Sequence, residues 1–475
     1  MLSKHGAGVY SPSSSSLRAG TAEHRETSYR NCGLVVIEPT IGHESETLEK
    51  SAWWFASALH AIRYFPAADK SCSYKGEANL VKIHASLLAT VLFANVPSAW
   101  GQAGAGITPQ QYGAVGNGVA DDTTALQSWM NAAASSGQIA FCTAGSYKIT
   151  KSLNVTATQI KISGPGGTAC SIIPAFPIGA TVSSAAAGAT HNGSPSIRLT
   201  VATTANMGAA IEVFGVGGTV EANGAWPAIV IDSTHIDIVG PTFAHALISA
   251  GTVALPVLAV NPSSTLASQP NIDMSGIYFA PPLQNAAATD VAIITGPPAG
   301  SNAYLHDFTE NGYRRGIIFY NSFASVTKNA FFYNNLGAAI VSNQDISFSN
   351  SRIDHVQFFS NGNALGEAAT IIGGSNWVEN PTFFNSQWSG NFGGLLFSGN
   401  VNGATVLGNY FENNLNYNFL CDGSNSNGAQ ITGNWFSYST GGRSTSNTSC
   451  TNAFIWGNWL DNQAFTFGSG AILLG

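Results

Sequence analysis

A chain of 475 residues is long enough to bury a large core, and 44% hydrophobic with only 9% charged residues suits apolar inner columns beneath a polar skin. Eighteen Lys and Arg against a formal charge of −7 leave no basic stripe of the kind a nucleic-acid surface needs, which argues against that partner. Polar, neutral or weakly charged partners, glycans among them, fit this balance.

Residues 1–79 resemble nothing that follows: Ser11 to Ser16 is low-complexity, and Glu44, Glu46, Glu49 and Lys50 form a charge cluster. Residues 80–103 carry one lysine, a short apolar run and then small residues, the three parts of a secretory signal. The run is too short, and too soon broken by Pro97, for stable membrane insertion. The expectation is a protein secreted or periplasmic, with translation starting near Leu80 or Val81 and the leader a mis-called start; the alternative is a genuine leader before an internal apolar helix.

From Gln111 to Gly137, glycines at 113, 116 and 118 make an open turn and Asp122 offers an N-cap. Ala125, Leu126, Trp129, Met130 and Ala133 then recur at helical spacing. One apolar stripe on a short helix needs a surface to cover, and the open end of a first solenoid coil is the natural one. At a helix start, Asp121 and Asp122 read as capping residues rather than as a metal or acid pair.

The run Tyr112-Gly-Ala-Val-Gly-Asn-Gly-Val-Ala-Asp-Asp-Thr-Thr-Ala-Leu-Gln127, with Gly137 to Ile149 and Ile160 to Gly166, resembles the entry segment of the pectate-lyase-like superfamily, in its rhamnogalacturonase and epimerase-type branch. The resemblance covers Gln111 to Gly167 and implies an all-β fold, a right-handed parallel β-helix solenoid with a short N-terminal capping helix, over 104–475. It names no reaction, because this segment supports the fold. The Asn-Thr-Asp, Gly-His-Gly and Arg-Ile-Lys motifs of polygalacturonases are absent, so no catalytic residue carries over from that family.

Between Ile238 and Leu460 a six-residue phrase recurs: aliphatic, any, small or polar, corner residue, any, large apolar. Copies begin at Ile238, Met274, Ala303, Val326, Ile353, Val378, Val406, Ile431 and Ile455, and their corners include Asn329, Asn409, Asn434, Asn458, Pro241 and Pro381. From Phe331 the apolar ends Phe358, Phe383, Phe411, Phe436 and Leu460 follow at intervals of 27, 25, 28, 25 and 24 residues, the length of a solenoid rung. The two apolar positions of a copy are five apart, an odd offset that a straight strand would place on opposite faces, so a bend lies between them. Corner asparagines tolerate left-handed geometry and can stack into a ladder. Residues 168–237 read as further coils with longer excursions, 181–196 being a loop.

Cys142 and Cys170 are separated by 28 residues and Cys421 and Cys450 by 29, about one coil each. Each pair can therefore form a disulfide between neighbouring rungs, which would imply an oxidising compartment; otherwise all four remain partly buried thiols.

For chemistry, the phrase places Asp354 and Glu379 at the same position of successive rungs, about 4.8 Å apart along the stack. Two carboxylates at that range suit a retaining hydrolase, with Arg352 and His355 alongside as catalytic partners and Trp377 as a sugar platform. The competing account is a solvated outer face whose like charges Arg352 relieves. Asp307, Glu310, Arg314 and Arg315 form a second set, in which Arg314 and Arg315 would bind an acidic sugar. Trp388, Trp435, Trp456 and Trp459 are either sugar-binding faces or core packing. These readings point to a polysaccharide partner and a glycan-degrading hydrolase or lyase. The alternatives are a non-catalytic carbohydrate-binding or adhesin-like surface protein and a tailspike-like depolymerase. No cofactor is expected, a lyase would bring in Ca²⁺, and the oligomeric state is not legible.

Overall fold

The computed structural model describes residues 106–475 except 177–179, 261–270, 284–289, 296–301, 321, 343–347, 423–425, 438–444, 448–449, 462–464 and 475; the side chains of 374–377, 445–447 and 465–467 are also outside the description. The leader and the signal-like segment lie outside the described residues. No described helix is long and apolar enough to cross a membrane.

Among the described residues, three long parallel sheets of 11, 11 and 12 strands run from Asn117 to Leu474. Sheet 1 runs from Ala140–Phe141 to Ile472–Leu474, sheet 2 from Asn117–Asp121 to Trp459–Leu460, and sheet 3 from Leu153–Val155 to Phe465–Phe467. Most coils give one short strand to each sheet and pair in parallel with the coils before and after, which is the parallel β-helix. The strands are short because their inward residues must alternate with outward ones only until the next corner.

The corner between sheets 1 and 2 has a common cause in every coil. The third residue of the phrase is left-handed throughout: Gly276, Asp307, Asn329, His355, Asn385, Gly408, Gly433 and Gly457 have φ between 44° and 68°, so most coils use Gly or Asn there. The next residue points inward. Asn409, Asn434 and Asn458 occupy it in the last coils and form the expected ladder, Asn409 Nδ2 donating to Asn434 Oδ1 at 3.0 Å and Asn434 Nδ2 to Asn458 Oδ1 at 2.9 Å. Asn329 instead takes the left-handed position, while Pro241 and Pro381 are not on this corner. A second ladder, not anticipated, joins Asn335, Asn361, Asn391 and Asn414 at 3.0–3.1 Å between the turns from sheet 2 to sheet 3.

Inside, one column runs Met274, Leu305, Thr327, Ile353, Phe383, Val406, Ile431 and Ile455. The other runs Phe279, Glu310, Phe332, Phe358, Trp388, Phe411 and Phe436. The expected phrase is therefore displaced by two residues at Ala303, one at Val326 and five at Val378. Ala303 and Leu305 both face inward on one strand, so local alternation cannot choose between them. Val378 has the right spacing to Phe383 but ends the 12-residue strand Ala368–Glu379 in sheet 3, opposite Val401.

Residues 181–254 are a further departure. They form a closed six-stranded antiparallel barrel inserted between Cys170–Pro174 and Pro256–Val260, not extra coils. The stack is continuous beneath it, because Gln159–Ser163 pairs directly with Asn271–Ser275. Ile238, expected to open the first copy of the phrase, pairs antiparallel with Ile197 and Ala228 in the barrel, and the expected loop contains the strand Thr181–Ala187.

Helix α1, Thr123–Ser136, buries Leu126, Trp129, Met130 and Ala133. Trp129 Nε1 donates to Ile107 O at 2.7 Å, and Gln127 exchanges two hydrogen bonds with the backbone of Asn154. Asp122 stands at its N-cap, but the carboxylate accepts from Val115 N and Gly116 N of the preceding turn instead of from the helix. Cys142–Cys170 and Cys421–Cys450 are disulfides with Cα separations of 6.0 and 5.6 Å.

Candidate functional site

Sheet 1 presents two outward rows of side chains. One reads Ser275, His306, Lys328, Asp354 and Phe384 on successive rungs; the other reads Lys161, Asp273, Tyr304, Val326 and Arg352. In a chain with so few charges, this gathers three cations, two carboxylates, an imidazole and a phenol onto one narrow face, with Asp307 and His355 at its corner.

The centre is His306, whose Nε2 lies 3.1 Å from Asp273 Oδ1 and whose Nδ1 contacts Asp307 Oδ2. Lys161 Nζ donates to the other oxygen of Asp273 at 2.9 Å. Burial raises the Asp307 pKa, but the hydrogen bonds from His306 and Asn329 outweigh it and hold the carboxyl below its ordinary value. The Tyr304 ring packs on His306 with centroids 4.4 Å apart, and Tyr304 is 41% exposed. It opens into a groove of about 840 Å³ lined by Gln159, Lys161, Asn271, Asp273 and Asn302, with Gly137 and Ile139 on one wall.

Two rungs on from His306, Arg352 Nη2 donates to Asp354 Oδ2 at 2.8 Å, His355 Nδ1 contacts Asp354 Oδ1, and the Arg352 guanidinium lies 5.1 Å from the Phe384 ring centre. Asp354 itself is buried. Three of the expected catalytic residues, Arg352, Asp354 and His355, are thus together on this face. Glu379 is not with them: Asp354 is opposite Phe384, whereas Glu379 is in sheet 3 opposite Asn402. The stacked acid pair is therefore corrected, because the long strand Ala368–Glu379 carries Glu379 past the position its spacing suggested. The side chain of Trp377 lies outside the described residues.

Arg314 and Arg315 are corrected in the same way, since neither is on a rim. Arg314 Nε donates to Glu212 Oε2 at 3.3 Å and lies 3.5 Å over the Phe214 ring centre. Arg315 Nη1 donates to Glu212 Oε1 at 2.6 Å and Nη2 contacts Glu367 Oε1. Both arginines are committed to joining the barrel to the coils. Glu310 is fully buried in the inner column.

Sequence reasoning missed Lys161, Asp273, Tyr304, His306 and Lys328. The signal was present: shifting the phrase by two residues at Ala303 and one at Val326 puts His306, Lys328 and Asp354 in one column. A Ca²⁺ ion takes about six to eight oxygen ligands, and the acids here do not offer them. Asp273 is taken by Lys161 and His306, Asp307 by His306 and Asn329, and Asp354 by Arg352 and His355. The acids of this face do not fit the ion.

Fold and face together define a parallel β-helix with an inserted barrel and a charged groove on its first sheet. No family model matches the sequence, and no curated protein matches it. Among solved structures it is similar to ORF18 of Geobacillus virus E2, with 12% identity and a TM-score of 0.41, covering 85% of this chain and 64% of that one. It is also similar to the A-module of mannuronan C-5 epimerase AlgE6 from Azotobacter vinelandii (11%, TM-score 0.37, 78% and 99% covered). A third is PfbA, a surface adhesin of Streptococcus pneumoniae (12%, TM-score 0.34, 75% and 73% covered). The chain spans less than two thirds of the virus protein's length.

Proposed function

We propose that the protein is a secreted polysaccharide-acting enzyme that cleaves an acidic glycan by elimination on the outer face of sheet 1. The observation that carries this reading is the exposed Tyr304 side chain lining a groove, backed by His306 and flanked by Lys161, Lys328 and Arg352. Elimination needs a group to take the proton next to a uronate carboxylate, positive charge for the electron density that develops there, and a proton for the departing glycosidic oxygen. His306 is held by acids on both nitrogens, so Tyr304 is the group free to move a proton. As phenolate it takes the proton from carbon, the bond to the leaving sugar breaks, and the same phenol returns the proton to that oxygen. Lys328 and Arg352 lie one and two rungs away, where they would hold the carboxylate.

Hydrolysis is less well supported, because its two carboxylates need to be free to face one bond and those on this face are paired with cations. The two disulfides suit an oxidising compartment, and α1 in this reading covers the open first coil. Incubation with polygalacturonate, alginate and a glucuronate-containing capsular polysaccharide should produce ultraviolet-absorbing unsaturated ends. Tyr304→Phe should lower that rate by about 10²–10⁴-fold. New reducing ends without absorbance would replace elimination by hydrolysis, and an unchanged rate for Tyr304→Phe would remove this site.

A further inference from the structure

Beyond Phe384 the outer surface changes character. The sheet 1 row continues as Leu407, Thr432 and Trp456, and across the corner the sheet 2 row reads Gln387, Tyr410, Trp435 and Trp459. The corner residues between the rows are Gly408, Gly433 and Gly457, all left-handed and without side chains. A Cβ at Gly457 would meet nothing within 4 Å, and one at Gly433 only Leu407. Two rows of side chains thus flank a strip of glycine backbone parallel to the solenoid axis.

The rows are aromatic and in water. Trp435, Trp456 and Trp459 are 39%, 55% and 61% exposed, although Phe411 and Phe436 already fill the core beneath. Rings follow one another at 6.0 Å from Tyr410 to Trp435 and 5.2 Å from Trp435 to Trp459, the last pair 13° from parallel. Clustered exposed aromatics of this size mark a binding surface more than a packing accident. The upstream end opens into a pocket of about 260 Å³ lined by His355, Gln357, Asn385, Gln387 and Tyr410, rich in amide and hydroxyl groups. Among the described residues from Phe384 to Leu474 there is no Lys or Arg, while Glu412 and Asp461 stand beside the strip. Glu412 and Asp461 disfavour an anion on the strip; a neutral sugar offers hydroxyls to the polar groups and a C–H face to the rings.

We propose that this strip is a second glycan-binding site, distinct from the groove at Tyr304, for an extended neutral polysaccharide. The chain runs along the axis, its pyranoses against the Trp456 indole and the outward edges of the Trp435–Trp459 stack and its hydroxyls in the upstream pocket. Rungs advance by about 4.8 Å, close to the length of one pyranose in an extended chain, so successive sugars meet equivalent positions. The site is independent of the elimination reading.

The test is titration calorimetry and intrinsic tryptophan fluorescence with xylohexaose, cellohexaose and mannohexaose as neutral probes and a galacturonate hexamer as the acidic one. At least one neutral probe should bind and quench. Trp459→Ala and Trp456→Ala should each weaken it about tenfold or more, which corresponds to about 1.4 kcal/mol, with the thermal midpoint unmoved. Tyr304→Phe should bind the neutral probe as the wild type does. Absence of binding by all three neutral probes would overturn the proposal, and so would tighter binding of the acidic hexamer through the same tryptophans. A change in sedimentation of the sugar-free protein on Trp435→Ala or Trp459→Ala would assign the strip to self-association and overturn it as well.

Discussion

Glu310 occupies a position that Phe or Trp fills in most other coils, stacked between Phe279 and Phe332. Burial pushes its carboxyl up from an ordinary 4.5 to about 8, against the lowering effect of the bond that Asn335 Nδ2 donates at 2.7 Å. Its folded pKa is raised, so between pH 4.5 and 8 the unfolded chain releases a proton that the folded one keeps. Its contribution to stability is therefore present below about 4.5 and falls as pH rises toward 8. Glu310→Gln should be more stable than the wild type at pH 8, by on the order of 3 kcal/mol, and nearly equal to it at pH 4. Urea midpoints measured across that range would show it, and a constant gap would contradict the assignment. No pattern in the sequence marks Glu310 as internal, since a glutamate next to Asn311 and Gly312 looks like a turn; only the register with Phe279 and Phe332 puts it inside.

At the scale of elements, the barrel and the coils are joined by Glu212 of the strand Ala210–Phe214. It accepts from both Arg314 and Arg315, and Glu367 holds Arg315 from the other side. Arg315 outweighs the burial of Glu367 and lowers its pKa. Glu212→Ala leaves buried guanidinium charge short of a partner and should cost about 3–5 kcal/mol. The loss should fall first on the barrel, so amides of 181–254 should lose hydrogen-exchange protection at lower denaturant than those of 382–436. Uniform loss over both would mean that the ion network is not the joint. An arginine pair on a solenoid reads as a rim because its partner is 102 residues away and on another architecture. The strands of that insert alternate as the coil strands do, and alternation does not say whether the neighbour is parallel or antiparallel.

Over the whole molecule, the two disulfides each close one coil, one near the described start of the stack and one near its end. Cys421→Ser with Cys450→Ser should lower stability by about 2–4 kcal/mol while leaving the charged face, several rungs away, working. Denaturant midpoints and the elimination assay on the same double variant would test both parts. The coil architecture was readable along the chain because each rung repeats a local rule: inward alternation, a left-handed Gly or Asn, then an asparagine or apolar corner. The disulfides followed from the same rung length. The charged face was legible only in part, because Arg352, Asp354 and His355 are neighbours in sequence whereas Asp273 and Lys328 reach His306 or its row through pairing between rungs. A slip of one, two or five residues leaves the local pattern intact yet changes which side chains meet. Short-range periodicity thus names the fold, while which side chains stand beside Asp354 and His306 on adjacent rungs was settled by strand pairing across coils, where the long strand Ala368–Glu379 and the inserted barrel interrupt the regular count.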